Sequence, residues 1–375
     1  MKKTILVTGS DGFIAKNLIV HLKHNVSLMY DILTANRSTT DKELRKAVES
    51  ADIIIHLAGE NRPKDENGFM EGNVSYAQKI CHFAQDFGLP IIYTSSTQAG
   101  IANCYGESKL AAENVLSDYS QSTNTPVAIT RLPNVFGKWC KPNYNSFVAT
   151  MCHNLWRDIS VNIDDVEKIL TLVYVDDVVR ALISKTAEIL HAEAEPKVNY
   201  FSVNPQYQKT LGDIYERLQA IKNSQQSLKI TKRANGFGRA LAATFMSYCP
   251  KDKIKYPLVE YEDDRGNFYE VFKLADYGQV SISTTKSGIT RGNHFHHSKQ
   301  EKFLVVKGEC AFAFRSLSTG EIISFTTSDK VKEIVEVPLG FTHNFTNIGS
   351  DELVVLIWCN EEFDRNNPDT YFLEV

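Results

Sequence analysis

The sequence predicts a Rossmann-type, doubly wound α/β domain followed by an all-β barrel or jelly roll. Three observations carry that reading. The first 130 residues alternate short, continuous apolar runs with helical patterns, as a parallel sheet covered on both faces requires. From about residue 255 the chain changes to many short strand-like runs punctuated by Gly, Asn, Asp and Ser, with little helical periodicity. The length of 375 residues suits one large and one small domain. We therefore expect domains over residues 1–250 and 251–375.

The elements follow in order. Thr4–Thr8 is a β-branched run and Phe13–Leu22 has helical spacing. The second strand falls between Leu28 and Thr34, where Leu28-Met29-Tyr30 and Ile32-Leu33-Thr34 both fit. Ala51–Leu57, Pro90–Ser95 and Val127–Arg131 read as buried strands, and Val74–Phe87 and Lys109–Tyr119 as helices. Helical patterns at Leu211–Ile221 and Arg239–Tyr248 fill a mixed region. Strand-like runs at 280–285, 302–306, 311–315, 322–326, 334–337 and 353–358 make up the second domain.

Composition excludes several classes. Apolar residues are 43% and charged residues 23%, values of an ordinary globular chain rather than a disordered or fibrous one. With 41 basic and 45 acidic residues, a charge of -4 gives no long-range pull toward nucleic acid or anionic lipid. No apolar run approaches the roughly 20 residues of a membrane span. The start, MKKTILVTGSDGFI, lacks the apolar core of a signal peptide. Seven widely spaced cysteines without a CxxC read as reduced thiols in a cytoplasmic protein.

Three constellations carry chemistry. In the first, Gly9-Ser10-Asp11-Gly12-Phe13-Ile14-Ala15 lies between the first strand and the first helix. Gly9 permits a tight turn and Gly12 lets backbone approach a pyrophosphate at the helix N-terminus. Asp31 is an acidic candidate for ribose hydroxyls, whereas Arg37, with Ser38 and Thr39, suits a 2′-phosphate. We favour NADP(H) through Arg37. In the second, a strand ends in Ser95-Ser96, and Tyr105 and Lys109 follow four residues apart on a helix, on one face. A cation beside a tyrosine favours the phenolate and lowers its pKa from about 10. Tyr105 could then give a proton to a carbonyl oxygen held by a serine while a hydride arrives on carbon.

In the third, His294 and His296 share one strand face, Glu301 follows, and His343 belongs to a second cluster, Pro338-Leu339-Gly340-Phe341-Thr342-His343. Three imidazoles and a carboxylate make a divalent-metal shell. Zinc is the preferred metal, and Ni, Mn or Fe would also suit it. His297 falls on the other face of a regular strand.

These motifs resemble known families. The turn GxxGxxA, the segment His56-Leu57-Ala58-Gly59, the Ser/Tyr/Lys set, Asn73, and Arg131-Leu132-Pro133-Asn134-Val135-Phe136-Gly137 resemble the extended short-chain dehydrogenase/reductase family. The resemblance selects Ser96 over Ser95. It implies cofactor contacts at Gly9, Asp11, Gly12, Phe13, Ile14, Arg37, Leu57, Ala58, Gly59, Lys109 and Arg131, and substrate contacts at Asn134 and Lys141. The histidine clusters resemble the two cupin motifs, with Lys332 where the second has a glycine.

The whole chain is similar to bifunctional enzymes of capsular polysaccharide synthesis that join these two domains. Segments 56–63, 136–146, 292–306 and 367–375 carry that similarity. It implies a homodimer acting on a UDP-linked 4-keto-6-deoxy amino sugar. The cupin would epimerise carbon 3, and the reductase would then reduce carbon 4 with NADPH. The base of the epimerisation is left open among His297, Lys302 and a metal-bound hydroxide. A plain 4-ketosugar reductase with a sugar-binding or dimerising cupin is the alternative, and an NADP sensor and an iron oxygenase are two further readings.

Overall fold

A computed structural model of the chain describes residues 2–26, 29–191, 195–230, 236–274, 277–366 and 368–375. It divides into two compact units. The first comprises Met1–Leu218 with Arg233–Pro250, and the second Gln219–Lys232 with Lys251–Val375. The segment 219–232 thus clusters with the second unit, although the sequence reading put it before the boundary at 250.

The first unit is built on a parallel sheet of β1 (Lys3–Thr8), β2 (Tyr30–Ala35), β3 (Ile53–His56), β4 (Ile91–Ser96), β5 (Val127–Leu132) and β8 (Val198–Tyr200). Their order is β2-β1-β3-β4-β5-β8, all parallel. Alternate residues leave opposite faces of each strand. Leu6, Ile54, Ile91 and Ile129 pack with Leu44 and Val48 of α2 (Asp41–Glu49) and Leu116 of α5 (Cys104–Thr123). Ile5, Val7, Ile53 and Ile92 pack with Leu18 and Leu22 of α1 (Phe13–Asn25) and Val178 and Leu182 of α7 (Val175–His191). Burial on both faces is why these strands are apolar without alternation.

The sheet order turns back between β1 and β3. That reversal opens a crevice at the carboxyl ends of those strands, where ligands of open α/β sheets bind. A small sheet of β6 (Asn134–Phe136), β7 (Ile169–Tyr174) and β9 (Gln206–Thr210) lies apart from the large one. The second strand resolves to Tyr30–Ala35, which takes in Ile32-Leu33-Thr34, while Leu28 lies outside the described residues. The helix expected from Lys109 begins earlier, at Cys104, because the Asn103 side chain accepts from Gly106 N at 2.8 Å and caps it.

The second unit is built on two sheets. One runs β10-β12-β13-β20-β15-β18, from Lys229–Ile230, Gly266–Leu274, Gly278–Thr285, Leu353–Cys359, Glu301–Lys307 and Val335–Glu336, with β11 (Glu260–Asp263) on β12. The other runs β17-β16-β19-β14-β21, from Ile322–Ser328, Glu309–Ser316, Phe341–Asn347, Thr290–Phe295 and Tyr371–Phe372. All pairings are antiparallel except β10 with β12. Phe303, Val305, Leu353 and Val355 of the first sheet pack on Phe312, Phe314 and Phe345 of the second. Phe312 is 1% exposed at the centre of this core. Phe312→Ala should therefore cost about 3–5 kcal/mol, read as a lower denaturation midpoint.

Candidate functional site

The crevice of the first unit is a cleft of about 1610 Å³. That exceeds the roughly 300–1,000 Å³ of one small-ligand site and leaves room for two ligands side by side. Gly9 turns the chain at φ +67, and a Cβ there would lie 2.7 Å from Ala58 backbone, so only glycine fits. Gly12 caps α1 without a side-chain hydrogen bond, and the first turn carries no acidic residue. The amide groups that open α1 therefore face the cleft free of a side-chain cap, which is a cradle for a pyrophosphate.

Tyr105 and Lys109 stand on α5 and Ser96 ends β4, all three lining the cleft. The Ser96 hydroxyl lies close enough to Tyr105 to favour its charged form, whereas Ser95 donates to the buried Glu113 carboxylate at 2.5 Å. Burial raises the Tyr105 pKa above its usual value, against the opposing effect of Ser96. This reverses the expectation of a lowered pKa. Burial is the reason, and the Lys109 ammonium, whose proximity the expectation rested on, donates elsewhere, to Tyr93 Oη at 3.2 Å and Thr94 O at 3.3 Å. Burial pushes Lys109 itself down to about 8, although the Glu113 charge works the other way. His56 bonds Thr8 through Nδ1 at 2.7 Å, and burial together with Lys109 holds it down at about 3, hence neutral. Asn73 braces the helix, donating to Ser108 Oγ at 2.9 Å and to Glu60 O at 3.0 Å.

Of the expected cofactor residues, Gly9, Asp11, Gly12, Phe13, Ile14 and Arg37 line the cleft, as do Leu57, Ala58 and Gly59. Asn134 and Lys141 line it too, with Lys141 Nζ 5.1 Å from the centre of the Tyr144 ring. Arg131 does not. Its guanidinium is paired with Glu113 through bonds of 3.0 and 2.7 Å and lies over Tyr200, because the buried carboxylate needs a counter-charge. Asp31 begins β2 rather than ending it, so it sits at the wrong end of the strand for a ribose. Arg37 follows the end of β2 and pairs with Glu60 at 2.5 Å. Glu60, which also accepts from Tyr144 Oη at 3.3 Å, had no signal in the sequence.

In the second unit, His294 and His296 (β14 and its end), Glu301 (β15) and His343 (β19) bring one ligand atom each to within 4.8 Å of one another. Glu301 Oε2 lies 3.1 Å from His296 Nε2 and 3.2 Å from His343 Nε2. His296 Nδ1 meets the Asp369 carbonyl at 2.6 Å. A carbonyl only accepts, so Nδ1 carries the hydrogen and Nε2 presents a lone pair to the cluster. His296 Nε2, His343 Nε2 and Glu301 Oε2 are buried without a hydrogen-bond partner. Burial alone would raise the Glu301 carboxyl, but His296 and His343 hold it well below the usual range. Burial, then His343, pushes His294 down to about 4. Converging imidazole nitrogens and a carboxylate, buried without other partners, fit a divalent cation.

Around the cluster, Cys359 donates to Glu301 Oε1 at 3.5 Å. Asp369 fastens the loop after β14, accepting from His297 N, Ser298 N and Lys299 N at 3.0, 2.8 and 2.9 Å. His297 is exposed against Phe295 and Tyr371, and Lys302 pairs with Glu336 on the strand face opposite Glu301. Neither belongs to the cluster.

Comparison with known proteins finds relatives over the whole chain. The NAD dependent epimerase/dehydratase family matches residues 5–191, and the polysaccharide biosynthesis C-terminal domain matches residues 261–371. A UDP-2-acetamido-2,6-beta-L-arabino-hexul-4-ose reductase of Pseudomonas aeruginosa is 43% identical over 373 residues, 99% of this chain and 98% of its own. The crystal structure of the capsular polysaccharide assembling protein CapF from Staphylococcus aureus superposes with a TM-score of 0.90 at 42% identity, covering 99% of this chain and 100% of that one. A UDP-glucuronic acid 4-epimerase from Bacillus cereus, solved with NAD, shares the fold over 65% of this chain and 98% of its own, with a TM-score of 0.55 at 18% identity.

Asp369→Ala keeps the carbonyl that holds His296 but removes the loop clamp. It should weaken metal binding about 10- to 100-fold, measured by competition with a chromophoric chelator.

Proposed function

The chain belongs to the family of CapF and the UDP-2-acetamido-2,6-beta-L-arabino-hexul-4-ose reductase, and on that premise we propose that it is a bifunctional UDP-4-ketosugar enzyme of capsular polysaccharide synthesis. The second unit epimerises carbon 3 of a UDP-2-acetamido-2,6-dideoxy-4-hexulose. The first reduces the carbon 4 ketone with NADPH to UDP-2-acetamido-2,6-dideoxy-L-talose. The protein works as a cytoplasmic homodimer. Among the described residues no helix is long and apolar enough to cross a membrane.

The observation that carries the reading is the pair of sites in one chain: Ser96, Tyr105 and Lys109 in the cleft, and a buried His294, His296, Glu301 and His343 cluster in the second unit. NADPH would supply the hydride for carbon 4. Tyr105 keeps its proton at neutral pH and passes it from Oη to the ketone oxygen, while the Ser96 hydroxyl orients that oxygen. Lys109 holds a positive charge at the floor of the cleft, beside the ribose that it would bind. Arg37 favours NADPH over NADH in this reading, since β2 ends at Ala35 and no acidic residue follows before Arg37, whose guanidinium would leave Glu60 to meet a 2′-phosphate.

A divalent metal held by His294, His296, Glu301 and His343, zinc in our reading, would supply Lewis acidity to an oxygen next to carbon 3. The ketone at carbon 4 acidifies the carbon 3 proton, and its loss and return on the opposite face inverts that centre. Reduction removes the ketone and with it the acidity, so epimerisation comes first.

Two measurements test this. Lys109 is charged below about pH 8 and loses its charge as pH rises through that value, so NADPH oxidation should fall on the alkaline side with an apparent pKa near 8. Tyr105→Phe protein, loaded with metal and incubated in D2O with the 4-keto UDP-sugar, should exchange the carbon 3 proton. The added change His343→Ala should abolish that exchange. A folded, metal-loaded Tyr105→Phe protein that exchanges nothing would reduce the second unit to a sugar-binding or dimerising module.

A further inference from the structure

Strand β14 is irregular, and the irregularity brings a fifth side chain to the face that carries the histidines. Its pairing with β19 runs Arg291↔Phe345 and Gly292↔Asn344, then shifts to His294↔His343. Asn293, at φ +60, is the extra residue, and Gly292 stands at φ +97. In a regular strand residues 291 and 294 would leave opposite faces. The bulge puts both on the inner face, because their partners Phe345 and His343 are two residues apart and both point inward. Along β19 the two positions are about 7 Å apart.

Arg291 is an anomaly there. Its side chain is 11% exposed, and Nε and Nη2 are buried without a hydrogen-bond partner. The Asp263 carboxylate is 3.5 Å away, too far for a good bond, and is already held by Arg265 at 2.6 and 3.0 Å. From the facing sheet Ser283 turns a buried, unpartnered hydroxyl inward, opposite Val355 of the core. A guanidinium taken out of water with idle donors costs stability unless an anion completes it.

We propose that Arg291 binds the diphosphate oxygens of the nucleotide-sugar in the second unit. It thereby sets the sugar ring over the His294, His296, Glu301 and His343 cluster. This deepens the epimerase reading and rests on it. The fork of a guanidinium matches phosphate oxygens bidentately, and the bulge sets Arg291 on the same inner face as the cluster. The chain then has two diphosphate sites, one per unit, and the substrate is held separately for each half of the reaction.

Calorimetry with UDP on the metal-loaded full chain should find two molecules bound per chain. Arg291→Met should bind one. The same variant should melt at a higher temperature than the unmodified protein in the absence of ligand, since it removes a buried charge with idle donors. An arginine needed only for folding would lower that temperature instead. In Tyr105→Phe protein, Arg291→Met should raise the substrate concentration for half-maximal carbon 3 exchange about 10- to 100-fold at unchanged metal content. Arg291→Lys should fall between. A single UDP site in the unmodified protein, or two in Arg291→Met, would overturn the proposal, as would an unchanged half-saturation. Loss of the second UDP site in a protein that exchanges no carbon 3 proton would keep Arg291 as a diphosphate anchor and remove the epimerase.

Discussion

A buried lysine organises the first unit. Lys109 is 7% exposed, and the fall of its pKa from 10.5 to about 8 means burial outweighs the Glu113 charge by about 3 kcal/mol. The surroundings are arranged to tolerate that. Tyr93 and Thr94 supply oxygen acceptors, and His56 is kept neutral a short way off. Gly59 leaves that space open, since a Cβ there would stand 3.1 Å from Nζ and 2.9 Å from Asn73 Oδ1 and would push one of them aside. Asn73 in turn holds both Ser108 of the lysine's helix and the Glu60 backbone. The charge is therefore in place before any ligand arrives, which is what preorganised electrostatics requires.

The second unit meets the complementary problem with a buried carboxylate. Glu301 comes from one sheet and the three imidazoles from the other or its end, so the cluster ties the two sheets together at one edge of an aromatic core. Phe303 and Phe314 pack within 6.1 and 6.3 Å of the His343 ring and keep that side dry. The segment 368–370 closes the other side. It fixes the His296 tautomer, and Lys299 Nζ donates back to the Pro368 carbonyl at 2.7 Å.

Much of this was legible in the sequence because the signals are local. The glycine turn, the YxxxK spacing and the HxH pair each lie within a few residues, and the apolar strands of the parallel sheet have no alternation to misread. What escaped depends on long separations or half-buried positions. β12, nine residues long, has almost every residue half-buried, so it carries no clear period. Arg131 sits inside a segment that resembles its family closely, yet Glu113, 18 residues away, claims it. Asp369 reaches a histidine 73 residues distant. The lowered pKa expected for Tyr105 followed from spacing alone, which says nothing about which acceptors compete for the lysine.

The bulge at Gly292 and Asn293 has a consequence for how this strand can vary. A side-chain stripe in a β-strand is a two-letter code, inward and outward, and a single extra residue shifts the reading frame for everything beyond it. On one side of the bulge stands Arg291 and on the other His294 and His296, all on the inward frame. The bulge absorbs that extra residue, so both halves keep their pairing with β19 and their inward frame. Deleting Asn293 would straighten the strand and leave Arg291 and His294 two residues apart on the same face, whereas forcing all four residues 291–294 into a regular strand would turn one half inside out. The stretch is therefore a place where the freedom to reach positive φ at Gly292 and Asn293 is more tightly bound than residue count.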